Sequence, residues 1–225
     1  MHPSRSSVLV LVLAACPAAR SPSMPRCPTD RTWMIAGQDD VEALAGCTTA
    51  SAVTIRSGAT ITLGPLRALE TITGDLIVGP TVGMEELTLL ELKEVGGSVK
   101  VVANGSLRGM FLPRLERAGR ISVEGNASLT TISLPRLDTV PGSLVITEDA
   151  SLELIDLSAL VTVGKDVVIT GNHKLALIEA DKLTSVLELR LEDNRELPAD
   201  QVDALRARFP AESVPPPAPN NPAPP

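Results

Sequence analysis

Aromatic residues are nearly missing from this chain: two Phe, one Trp and no Tyr among 225 positions. An enzyme that grips polysaccharide by stacking sugars on rings finds little material here. Histidine is almost as scarce, with His2 and His173 only, so general-base and metal chemistry have few candidates. His173 sits in a polar corner beside Asn172 and reads as a solvated corner residue. No Gly-x-Ser-x-Gly elbow, phosphate loop or His-Glu-x-x-His occurs. The formal net charge is −7, and Lys and Arg are scattered without a basic run. Nucleic-acid binding therefore lacks its electrostatic footprint. The apolar run Val8–Leu13 is far too short to span a bilayer as a helix. These absences exclude more than they identify, and they imply no cofactor.

What the chain does have is a period. Val53, Leu76, Val99, Ile121, Leu144, Val167 and Leu189 follow one another at steps of 23, 23, 22, 23, 23 and 22. A second apolar column runs Met84, Leu107, Leu129, Leu152, Leu175, Leu197. A third runs Leu69, Leu92, Leu115, Leu137, Leu160, Leu183. Three columns in phase mark a solenoid, in which each unit buries its apolar side by stacking on its neighbours. Within the unit Leu144–Val163, Leu144 and Ile146 alternate, as do Ile155 and Leu157, and Leu160 and Val163 add a third patch. Alternation of this kind belongs to short strands. No unit has an apolar-periodic run as long as an ordinary helix. The expected fold is all-β: a β-solenoid of about seven coils of 22–23 residues, with about three faces. At about 4.8 Å per coil the rod is on the order of 30 Å long.

Short helices are expected to cap both ends. Gln38–Gly46 carries acids in its first turn, Val41 and Leu44 on one face, and Gly46 at its end. Trp33, just upstream, is placed against the first coil. Pro198–Phe209 puts Val202, Leu205 and Phe209 on one face.

The corner after the first strand repeats too. Asn104, Asn126, Asp149, Asn172 and Asn194 recur at steps of 22, 23, 23 and 22. Asn and Asp bond to backbone in tight corners and tolerate left-handed geometry, so the array reads as a structural ladder. Its rival is calcium, since Glu124, Glu148, Asp149, Glu192 and Asp193 lie close in sequence. The dense Gly-Asp alternation of calcium-binding β-rolls is missing.

The ends have their own signals. His2 and Arg5 precede the apolar run, and Leu13-Ala14-Ala15-Cys16 follows it. These four residues resemble the bacterial lipobox, whose Cys is acylated and becomes the first mature residue. The resemblance implies a lipoprotein signal peptide over 1–15 and lipidation of Cys16. Pro17 stands where an Asp tends to hold lipoproteins at the inner membrane. The expected place is thus the bacterial cell envelope, lipid-anchored in the outer membrane. Residues 16–26 read as a flexible tether. With Cys16 acylated, Cys27 and Cys47 remain as a pair in an oxidising compartment; two free thiols are the alternative. A bridge would close a loop of about 20 residues, worth on the order of 3 kcal/mol. The Pro-rich segment 210–225 reads as a disordered tail.

The unit Val163-Gly164 through Val167, Ile169, Asn172 and Leu175 resembles the receptor L-domain, the leucine-rich β-helix of insulin- and growth-factor-receptor ectodomains. A Cys, a short Asp-Val-x-x-Leu helix (Asp40 to Leu44) and a second Cys add to the likeness, which covers about 27–209. Two residues, His173 and Lys174, separate the Asn from the next Leu. Ordinary leucine-rich repeats place one there, so the horseshoe form is disfavoured. The resemblance implies a recognition or scaffold domain and names no partner.

Function is then argued from surfaces. One outward column holds Thr54, Ile77, Lys100, Ser122, Val145, Val168 and Arg190. Ile77, Val145 and Val168, with Lys100 and Arg190, form a possible partner-binding face. Ordinary β-branched filling of a strand is the plainer alternative. The leading expectation is a non-enzymatic envelope lipoprotein that acts as a recognition or scaffold domain. Its partners would be the membrane, through the anchor, and an envelope or surface protein or glycan. A polysaccharide-active β-helix and a structural envelope protein without a ligand are the alternatives.

Overall fold

The structure, a computed structural model, describes residue 27 and residues 29–209. The leader (1–15), Cys16, the rest of the tether (to 26) and the tail (210–225) lie outside the described residues.

The chain opens with β1 (Thr32–Ile35) and α1 (Gln38–Ala43), then β2 (Thr49–Ala50) and β3 (Ala52–Ile55). A 3-10 turn, Gly64–Ala68, leads to β4 (Thr71–Ile72), β5 (Leu76–Val78) and β6 (Glu86–Thr88). The next coils give β7 (Glu94–Val102), β8 (Gly109–Phe111), β9 (Arg117–Glu124) and β10 (Thr131–Ser133). They continue through β11 (Thr139–Val140), β12 (Leu144–Thr147), β13 (Leu154–Asp156) and β14 (Thr162–Val163). The last are β15 (Asp166–Thr170), β16 (Leu177–Glu179), β17 (Glu188–Glu192) and α2 (Ala199–Arg208).

All described strand pairs are parallel, and each strand pairs with its counterpart one coil away. The chain is a parallel β-solenoid of about seven turns. One ladder runs β1-β3-β5-β7-β9-β12-β15-β17. A second runs β6-β8-β10-β13-β16. The short strands β2, β4, β11 and β14 form a third ladder, joined to the first through β7 and β9, which are long enough to turn the corner between the two. These are the three faces that the apolar pattern called for.

The register follows the period residue by residue. Val53, Leu76, Val99, Ile121, Leu144, Val167 and Leu189 are successive partners. All are buried except Leu189, which is half-buried at the last coil. The Leu69 and Met84 columns are buried along their whole lengths. Each such side chain contributes about 1.5–3 kcal/mol of transfer free energy, and it does so only with a neighbouring coil in place. The scarcity of rings follows from the same geometry, because coils about 4.8 Å apart leave each column one aliphatic layer per step. Phe111 shows the local cost of a ring: it lies half-buried over Gly109, where an added Cβ would come 2.2 Å from Phe111 Cε2.

Glycines line another corner. At Gly142 an added Cβ would lie 2.6 Å from Gly119 O, and at Gly164 it would lie 2.3 Å from Pro141 O. The coils approach here to a distance that only a hydrogen leaves open.

Both ends are covered. In α1, Val41 is buried and Leu44 follows it into the core, with Gly46 at φ 82° just beyond. Asp40 Oδ2 accepts the N–H of Ala36 (2.8 Å) and of Gly37 (3.1 Å), which fixes the start of α1. Trp33 belongs to a strand, β1, in register with Val53, so the first coil is flanked by one more strand than the repeat suggests. At the far end α2 buries Leu205 and packs Val202 and Phe209 against the core. Arg208 tethers α2 to the last coil, donating to the carbonyls of Ala180 (3.2 Å), Asp181 (2.9 Å) and Leu183.

Candidate functional site

The corner residues form one continuous line of hydrogen bonds inside the coil stack. Asn104, Asn126, Asp149 and Asn172 are fully buried, and Asn194 is half-buried at the end. The N–H of Asn104 donates to Asn126 Oδ1 (3.1 Å), that of Asn126 to Asp149 Oδ1 (2.7 Å), and that of Asp149 to Asn172 Oδ1 (3.0 Å). The N–H of Asn172 donates to Asn194 Oδ1 (3.1 Å). Each Asn also reaches back to a strand carbonyl of the preceding coil: Asn104 Nδ2 to Val78 O (3.2 Å), Asn126 to Val101 O (3.1 Å), Asn172 to Ile146 O (3.0 Å), Asn194 to Ile169 O (2.7 Å).

The backbone just before each rung is left-handed: Ala103, Gly125, Glu148, Gly171 and Asp193 have φ between 53° and 72°. This turn aims the following side chain inward. Ala103 and Glu148 accept a conformation that favours glycine, and the ladder holds them there.

One rung differs. At Asp149 an oxygen stands where the others carry Nδ2, and Oδ2 is buried without a hydrogen-bond partner among the described residues. Burial pushes the Asp149 carboxyl up to about 6, against the pull of the backbone and side-chain hydrogen bonds from Asn126; Glu124 adds a small push in the same direction. One coil before Asn104 the period places Thr81, whose Oγ1 donates to Asn104 Oδ1 (2.8 Å). A hydroxyl therefore extends the ladder past the last amide.

The broad face carries the outward column. Met34, Thr54, Ile77, Lys100, Ser122, Val145, Val168 and Arg190 are successive register partners. Lys100 and Arg190 are exposed, and Ile77, Val145 and Val168 are half-buried. Thr54 and Ser122 are buried, although their strand positions point outward. Both side chains are short, and that of Ser122 donates to Glu124 Oε1. Arg190 forks onto Glu188, with Nε 2.7 Å from Oε1 and one terminal nitrogen 3.1 Å from Oε2. Their mutual hydrogen bond lowers the carboxyl and raises the guanidinium.

Cys27 and Cys47 are joined by a disulfide with Cα atoms 5.5 Å apart. It ties the entry of β1 to the end of the α1 turn. His173 is exposed, its Nδ1 3.1 Å from Asp193 O. Among the described residues, no three His, Cys, Asp or Glu converge as a metal site would require. Asp149 points into the stack, away from the outward Glu124.

A groove of about 610 Å³ lies between the first two coils, lined by Thr60–Gly64, Arg67, Gly83, Glu85, Glu86, Thr88 and Leu90. The repeat gave no sign of it, because Ile61 and Leu63 alternate as a strand would. No family model matches the chain, and no curated protein or solved structure matches it either.

Proposed function

We propose that this chain is a non-enzymatic recognition or scaffold domain of the bacterial cell envelope, anchored through acylated Cys16 and built on the receptor L-domain plan. The observation that supports recognition best is the outward column. Ile77, Val145 and Val168 present apolar surface on a rigid parallel sheet, interleaved with exposed Lys100 and Arg190. A flat face with aliphatic centres and the Lys100 cation, beside an Arg190 already forked onto Glu188, suits a partner protein with an apolar surface and an acidic group opposite Lys100. The Leu13-Ala14-Ala15-Cys16 run supports the anchor, and the Val-x-Gly unit around Asn172 supports the family.

Two measurements test the reading. Chemical cross-linking in envelope fractions compares the native chain with Val145→Glu/Val168→Glu, whose changes lie on the outer surface. A partner recovered by the native chain and lost at least about tenfold by the variant is expected; equal recovery contradicts the role of this face. For the anchor, the native chain incorporates labelled palmitate and partitions with membranes, whereas Cys16→Ser does neither. A variant that stays membrane-bound, beside a native chain that takes up no label, refutes the lipoprotein reading.

A further inference from the structure

The second ladder has an open end. In the later coils its strands are flanked on both sides: Arg108 N–H donates to Glu85 O (2.8 Å), Thr130 N–H to Arg108 O (2.8 Å) and Glu153 N–H to Thr130 O (2.9 Å). Among the described residues β6 has β8 on one side only. Thr60–Leu63 runs past its other side, yet among the described residues no backbone hydrogen bond joins the two. The coils touch at Gly83, where an added Cβ would lie 2.8 Å from Thr60 N, and then diverge to form the groove.

The far wall of that groove is fixed. Gln38 in α1 takes the place of a neighbouring strand for Thr62: Thr62 N–H donates to Gln38 Oε1 (2.9 Å), and Gln38 Nε2 donates to Thr62 O (3.3 Å). The wall therefore does not need to close onto β6. Leu90 at the rim is 51% exposed, and nearby Val82 is 68% exposed. Glu85 and Glu86 are exposed, and neither is in an ion pair among the described residues. Unpaired strand edges template added strands, and proteins blunt them with short strands and charged side chains, so an acidic edge stays open to a segment that brings its own cations. Here the edge is short, acidic and flanked by aliphatic side chains.

We propose that the open edge of β6 accepts an extended segment of a partner protein as an added strand, one that carries aliphatic residues and one or two Lys or Arg. Backbone hydrogen bonds to β6 supply the affinity. Leu90 takes an aliphatic side chain, and Glu85 and Glu86 take the cation. Arg67 on the opposite wall disfavours a uniformly basic segment. This surface lies apart from the Val145 and Val168 face and does not depend on it.

The test is fluorescence anisotropy of a labelled peptide, Lys-Val-Thr-Val-Lys-Val, with the full chain. Saturable binding is expected. Glu85→Lys/Glu86→Lys, both on the surface, weakens it at least about tenfold. N-methylation of alternate peptide nitrogens, which removes edge donors but keeps the charge, weakens it by a similar factor. Val145→Glu/Val168→Glu leaves it unchanged. No saturable binding up to about 1 mM overturns the proposal, as does equal binding of the N-methylated peptide or of Glu-Val-Thr-Val-Glu-Val. A concentration-dependent dimer that Glu85→Lys/Glu86→Lys dissolves would give the edge to a second copy. Tighter binding after removal of 210–225 would give it to the chain's own tail. Either result also overturns the proposal.

Discussion

Asp149→Asn stabilises the chain above pH 6 by an amount on the order of 3 kcal/mol and changes it little near pH 4. The reason is the unpartnered oxygen. Asn104, Asn126, Asn172 and Asn194 each send an Nδ2 hydrogen to a strand carbonyl of the preceding coil, and Asp149 cannot while ionised. Protonation makes Oδ2 a donor, so the folded chain holds this proton up to about pH 6, against an ordinary value of 3.8. A carboxyl raised in the folded state contributes stability that is fully present below its unfolded pKa. That contribution is lost as pH rises through its folded pKa. The window is therefore about pH 3.8 to 6. Denaturant midpoints of both proteins from pH 4 to 8 check this, since their difference cancels the other carboxylates. A pH-independent difference, or a less stable variant at pH 7.5, would refute the assignment of a protonated rung.

Asn126→Ala is expected to cost on the order of 4 kcal/mol, among the largest effects of any single side chain here. Asn126 is fully buried and uses both ends of its amide. Oδ1 accepts from the backbone (3.1 Å) and side chain (2.8 Å) of Asn104, while Nδ2 donates to Val101 O (3.1 Å) and Asp149 Oδ1 (2.9 Å). Alanine leaves several of these groups buried and unpaired, each costing about 1–3 kcal/mol. Asn194→Ala, at the half-buried end of the line, loses fewer contacts and costs about 1–2 kcal/mol. Urea unfolding of the two variants measures the contrast. Equal, small losses would mean that the corner side chains are solvated.

The ladder and the aliphatic columns were legible because both follow from the period. A residue type fixed to one place in a 22–23-residue unit declares its place in every coil. The ends were less legible. β1 has no counterpart at the repeat distance before Val53, since α1 and the disulfide loop intervene, so Thr32–Ile35 carries no phase. Thr81 escaped notice because a hydroxyl, not an amide, extends the ladder. The glycines at 74, 97, 119, 142 and 164 hold the same period, yet singly each reads as an ordinary turn. Their shared meaning, coils pressed together, needs coordinates. The groove is hardest of all. Ile61 and Leu63 have strand alternation, and only coordinates reveal that the Thr62 backbone between them pairs with the Gln38 side chain and not with β6.

The central claim is that successive coils stack in register along one axis. Met34 and Arg190 stand at the two ends of the outward column, both exposed and seven register steps apart. Spin labels on Met34→Cys and Arg190→Cys, read by pulsed electron resonance, measure that span. The stack predicts a single narrow distribution near about 34 Å, widened by the label arms. A separation below about 20 Å, or a broad spread of distances, would contradict it.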